Sequence, residues 1–169
     1  HVGVDAAGIS ERELQYGRGW LLTTLANSQL PVVCANIHDR VTARTLVPAS
    51  RLIRKGRVQV GVFGLASDEG GLGPARDSLR FEDPRAAAER TVAALRKQGA
   101  TVIVLLSHLG VQGSEDLAAA VPGIDLMVVG RHAPMLQPGR TIGGTLLCYG
   151  GQFGRFAGHS VLTLGRDGH

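Results

Sequence analysis

The sequence predicts an α/β domain with a mixed sheet. Three observations carry that expectation. A capped amphipathic segment, an apolar run, a short helical segment and a second apolar run follow one another between residues 83 and 129, the rhythm of an α/β layer. The runs "TVIVLL" and "IDLMVV" are short and continuous, as buried strands are. The flanking segments read as hairpins, which makes the sheet mixed rather than purely parallel.

The elements follow in order. Gly19 to Ser28 reads as a helix, and "LPVVCANI" as a buried strand over Pro31 to Ile37. "SRLIRKGRVQVGVFGLAS" reads as a hairpin with strands Arg51–Arg54 and Val58–Leu65 around a Lys55-Gly56 turn. "SDEGGLGPARDS" is a polar, glycine-rich loop. The clearest helix follows: Asp83 suits the N-cap, Pro84 the first position and Gly99 the residue beyond the end. Ala88, Thr91, Val92 and Leu95 form its apolar stripe. Thr101–Leu106 is a strand, Glu115–Ala120 a short helix stopped by Pro122-Gly123, and Ile124–Val129 another strand. Thr145–Tyr149 and Ala157–Leu164 read as closing strands around a glycine-dense turn. No repeat or linker interrupts the chain, so residues 1–169 read as a single domain.

Composition narrows the classes of function. A chain of 169 residues with 44% apolar and 19% charged residues builds a folded core. No apolar run approaches the roughly 20 residues of a membrane span. The net charge is +4, and all the basic residues but Lys55 and Lys97 are arginine, scattered rather than clustered. Only 4% of residues are aromatic, too few stacking platforms for a single-stranded nucleic acid. Cys34 and Cys148 sit in strand-like contexts outside any C-x-x-C motif, so they read as reduced thiols rather than zinc ligands, with a disulfide open if their strands are neighbours. His1 is followed by acidic and glycine-rich residues rather than by a basic segment and an apolar core.

Two histidines stand directly after buried strands, His108 in "LLSHLG" and His132 in "VVGRHAP". Ligand sites of α/β folds gather at the carboxyl ends of strands, and imidazole is a common metal ligand. A lone strand-end histidine is as a rule structural; two in matched contexts raise the prospect of a shared site. His1, His38, His159 and His169 lack such a context and read as surface or hairpin residues. Asn36 reads as a capping residue, with a hydrogen bond to a loop near the site as the alternative. "GGLGPARDS" lacks the lysine and hydroxyl ending of a phosphate loop, so a solvent loop is the better reading.

From Tyr16 to Leu164 the chain resembles the metallophosphatase domain of the 5′-nucleotidase and calcineurin-like phosphoesterase group. The resemblance rests on "PVVCANI", "VGVFGLAS", "DPRAAAERTVAALRKQGATVIVLLSHLG", "VPGIDLMVVGRH" and "CYGGQFGRFAGHSVLTL", in that order. It implies mixed β-sheets packed face to face with flanking helices. It also implies a pair of divalent ions (manganese, zinc, iron or similar) that activate water against a phosphate ester such as a nucleotide, and an extracytoplasmic, periplasmic or secreted location. Carried over residue by residue, His108 matches the histidine of the group's Ser-His motif and His132 the first histidine of its Gly-His-x-His motif, both metal ligands. The second position of that motif falls on Pro134. "SERELQYG" aligned to "GNHEFDYG" puts Glu11 at the asparagine and Arg12 at the histidine. Glu11 can still offer an oxygen to a cation, and Arg12 can grip a phosphate but cannot act as an acid at neutral pH. Asp5 is a weak stand-in for the bridging aspartate. The expectation is a domain lacking the first strand or strands, with impaired chemistry, whose open edge is covered by a partner chain or by a missing N-terminal segment. The alternative is a non-catalytic binding or assembly domain.

Overall fold

A computed structural model describes residues 3–151 and 155–165. His1, His169 and part of the glycine-dense turn lie outside the described residues. The chain runs β1 (Ala7–Gly8), a 3-10 helix (Glu11–Leu14), α1 (Arg18–Ser28), β2 (Val32–Val33), β3 (Ile37–Asp39), β4 (Ser50–Lys55), β5 (Val58–Ala66), a second 3-10 turn (Gly73–Ala75) and β6 (Leu79–Phe81). It continues with α2 (Pro84–Lys97), β7 (Val102–His108), α3 (Gly110–Ala120), β8 (Leu126–Val129), β9 (Met135–Ile142) and β10 (Thr145–Gly150).

The centre is a six-stranded sheet in the order β4-β5-β7-β8-β10-β9. β5, β7, β8 and β10 are parallel, and β4 and β9 close the edges antiparallel. The sheet is therefore mixed, with flanking helices, as the sequence predicts. Alternation along the strands sends Phe63, Leu65, Ile103, Leu105, Met127, Val129 and Leu147 to one face. There they meet Ala88, Val92 and Leu95 of α2 and Leu117 of α3 in one continuous core. Asp83 caps α2 by accepting from the Ala86 amide at 2.9 Å, and Gly99 takes the left-handed conformation just beyond it (φ 88°).

The opposite face is covered over only part of its width. There the parallel pair β1–β2 lies against β5 and β7. A second core of Ile9, Leu14, Leu21, Val33's neighbour Cys34, Ile37 and Ala66 joins it to the 3-10 helix and α1. Gly64 permits this approach: a Cβ there would run into the Val33 carbonyl oxygen.

Four expectations need correction. Pro31–Ile37 is not one strand but two, β2 and β3. Between them the chain leaves one ladder for another: the Cys34 amide donates to Pro48 and the Ala35 amide to Gly64. Helix α3 begins at Gly110 rather than Glu115; Gly110, Gly113 and the lack of a capping side chain hid its first turn. The closing hairpin is β9–β10 around Gly143-Gly144, and Ala157–Leu164 forms no strand. Both edges of β10 are already bonded, to β8 and β9, so the later segment finds no ladder there. Pro138 and Gly139 masked β9, which as an edge strand tolerates proline. Finally, His38 is not a surface residue: it is 7% exposed, with Nε2 2.6 Å from Glu82 Oε2 and Nδ1 3.3 Å from the Ala43 carbonyl.

Candidate functional site

His108 is the last residue of β7. Period two puts it on the face shared with Leu106, away from Leu105 and Ser107. Ser107 turns the other way and meets the Ser114 hydroxyl of α3 at 2.8 Å. His108 thus projects beneath the 3-10 helix Glu11–Leu14. That helix is held by a capping box: the Ser10 hydroxyl accepts from the Arg12 amide at 3.2 Å, while Glu13 Oε2 accepts from the Ser10 amide at 2.7 Å. The box fixes the direction in which Glu11 leaves the backbone, inward, where it is only 8% exposed. Gly70, in the loop after β5, packs on the Glu11 side chain and leaves no room for a Cβ.

Glu11 Oε2 lies 3.2 Å from His108 Nδ1. Both atoms are buried and neither completes a hydrogen bond. Burial lowers the His108 pKa below the usual imidazole value, with Arg131 and Arg12 acting in the same sense and Glu11 and Glu13 against it. The ring is therefore largely neutral at pH 7 and free to accept a proton. Beside the pair opens a hollow of about 450 Å³, lined by Ala6–Ser10, Arg12, Glu13, Leu106–His108, Val128 and Gly130.

Of the residues singled out by the sequence, the structure sets Arg12 and His108 in the wall of this hollow and brings Glu11 against His108. It does not bring His132 there: that side chain is exposed, and Gly130 takes the lining position after β8. The inward residue is Arg131. Its side chain is 14% exposed, its Nε lies 3.9 Å from Glu11 Oε1, and its Nη1 donates to Glu69. Arg131 and His132 both adopt left-handed backbone (φ 58° and 56°), which L-residues with side chains rarely do. Gly130 anchors this turn through its amide, which donates to the Ser107 carbonyl at 2.8 Å. Sequence reasoning missed Arg131 because the matched context pointed one residue further. The available signal was a buried-strand end followed by a cation, opposite an acidic residue in a helix. Nothing in the sequence flagged Glu69.

The donor set can be tested against the divalent ions that the resemblance implies. Among the described residues, no three His, Cys, Asp or Glu side chains gather closely enough to hold a metal ion. The third group beside Glu11 and His108 is a guanidinium, which repels a cation. The residues present do not fit a metal pair.

No family model matches the chain. Its sequence is 28% identical over 135 residues to the probable 5′-nucleotidase of Treponema pallidum, covering 77% of this chain and 23% of that protein. It is 26% identical over 166 residues to the metallophosphoesterase YunD of Bacillus subtilis, covering 95% of this chain and 35% of that one. The sulfate thiohydrolase SoxB of Thermus thermophilus superposes with a TM-score of 0.80 at 26% identity, over 88% of this chain and 28% of SoxB. The chain thus spans about a quarter to a third of the length of these relatives. By sequence, order of elements and backbone course alike, it resembles the metallophosphatase domain of the 5′-nucleotidase and calcineurin-like phosphoesterase group.

Proposed function

We propose that the hollow beside His108 receives a phosphate ester such as a nucleotide, and that its hydrolysis is impaired in this chain alone. The observation that carries the reading is the convergence of Glu11, Arg12 and His108 at the carboxyl ends of parallel strands, where α/β folds bind ligands. Arg12 supplies the planar donor fork suited to a phosphate. His108, kept neutral by burial, accepts a proton from water, and Glu11 orients the ring. Arg131 offsets the charge of Glu11. The activity implied by the group is metal-dependent, and manganese or zinc would need more donors than Glu11, His108 and the exposed His132 bring together. The extracytoplasmic location implied by the resemblance belongs to the same proposal.

The test is calorimetric titration with a nucleoside monophosphate, alongside a phosphatase assay with and without manganese or zinc. Binding that weakens about tenfold or more in Arg12→Ala supports the reading, since losing one charge-assisted contact costs about 1.5–3 kcal/mol. Absence of binding, or binding indifferent to Arg12, overturns it. Metal-stimulated turnover would overturn the impaired chemistry.

A second reading, a non-catalytic binding or assembly domain, is favoured by one observation of its own. Val128, in the wall of the same hollow, is itself 40% exposed, an apolar surface for a partner chain or another segment of the polypeptide. On this reading, replacing both His108 and His132 by alanine leaves partner binding intact.

A further inference from the structure

Glu11 is a buried carboxylate, and buried charges persist only when paired. Among the described residues, its partners within ion-pair distance are His108 and Arg131. Of these two, the group that carries a permanent charge is the guanidinium of Arg131. That guanidinium bridges two carboxylates from distant parts of the chain, Glu11 of the 3-10 helix and Glu69 of the loop after β5. A side chain with five donors in a rigid fork can serve both. The backbone contorts to deliver it: Arg131 and His132 are consecutive left-handed residues, a conformation that persists only where the surroundings enforce it. Glu11 Oε1 faces the guanidinium, while Glu11 Oε2 and His108 Nδ1, 3.2 Å apart, remain without a hydrogen bond. An oxygen and a nitrogen left free side by side are the beginning of a cation's ligand set, and the cation beside them belongs to the protein.

We propose that Arg131 is a built-in replacement for a metal ion: its guanidinium fills the place beside Glu11 and His108 that a divalent cation would need, and a metal site lies latent under that single side chain. The domain is then metal-independent in its folding and in the shape of its hollow. Removing Arg131 exposes Glu11 and His108 as two ready donors, and a histidine in its place adds the third. This inference rests on the hollow being the group's reaction site, but its readout is metal content and melting temperature, so it stands or falls separately from nucleotide binding.

The experiment compares the whole chain with Arg131→His after dialysis against manganese or zinc, by elemental analysis and by thermal melting with and without a chelator. The wild-type chain is expected to retain no stoichiometric metal and to melt at the same temperature in chelator. Arg131→His is expected to retain about one equivalent and to melt higher with metal than with chelator. Adding Glu11→Gln to that variant is expected to remove both effects. Stoichiometric metal in the wild type that Glu11→Gln releases would overturn the proposal. So would an Arg131→His variant that folds, as judged by circular dichroism, yet takes up no metal. If Arg131→His does not fold, Arg131→Gln is measured for metal-induced stabilisation. A melting temperature raised by metal in that variant but not in the wild type supports the proposal, and indifference in both overturns it.

Discussion

Asn36 shows how much one buried amide can hold. It is fully buried; its Oδ1 accepts from the Ala66 amide at 2.9 Å and its Nδ2 donates to the Ala66 carbonyl at 2.8 Å. Those two bonds tie the crossing between β2 and β3 to the end of β5, next to the loop that carries Glu69. Asn36→Ala leaves both Ala66 groups without their partner, so it should destabilise the chain by about 2–3 kcal/mol, read as a lower urea midpoint with an unchanged slope. The sequence marked Asn36 as a capping residue but could not name its partner, because Ala66 lies 30 positions away. Tyr149 sets a pH limit. Burial, and then its hydrogen bond to Glu115, push its hydroxyl up to about 12 from the ordinary 10. A raised folded pKa means that this stabilisation is complete below pH 10 and is lost as pH rises to about 12. Melting temperature measured across that window should fall, and the fall should be smaller in Tyr149→Phe.

At the scale of elements, local signals were strongest where side-chain period and capping agree. α2 was legible end to end, since Asp83, Pro84 and Gly99 punctuate a stripe that buries Ala88, Thr91, Val92 and Leu95. The parallel strands β7 and β8 were legible as apolar runs. β9 was not, because a proline and a glycine in an edge strand look like a loop until β10 is seen beside them. The approach of β2 to β5 depends on a missing side chain. Gly64→Ala sets a methyl against the Val33 backbone, where neither a flexible side chain nor empty space absorbs it. It should cost about 3 kcal/mol or more, seen as a large drop in melting temperature. An alanine at Gly19, which meets nothing within 4 Å, is the control and should leave stability unchanged or raised by a few tenths of a kcal/mol.

For the whole molecule, the two faces of the sheet have different fates. Val129 is 2% exposed against the helices, whereas its neighbour Val128 is 40% exposed on the other face. Leu106, Val128 and Cys148 stand side by side in register there on adjacent strands; Gly8 of β1 lies over Leu106 and Ser160 meets Cys148, which leaves Val128 between them the more exposed. Val129→Asp buries an unpaired charge and should prevent folding. Val128→Asp should leave melting nearly unchanged and reduce association, measured by light scattering; unfolding by Val128→Asp would show that face to be covered. The sequence by itself determined the order of the helices and of the central parallel strands, the helix-facing core and the arrival of His108 at a strand end, because alternation and capping act over a few residues. Only the tertiary structure decided that Arg131 rather than His132 turns inward, that Glu11 and Glu69 meet it, and that Ala157–Leu164 stays out of the sheet. Those outcomes depend on two left-handed backbone angles, on charges brought together from 62 and more residues apart, and on which strand edges were already bonded, none of which a local pattern records.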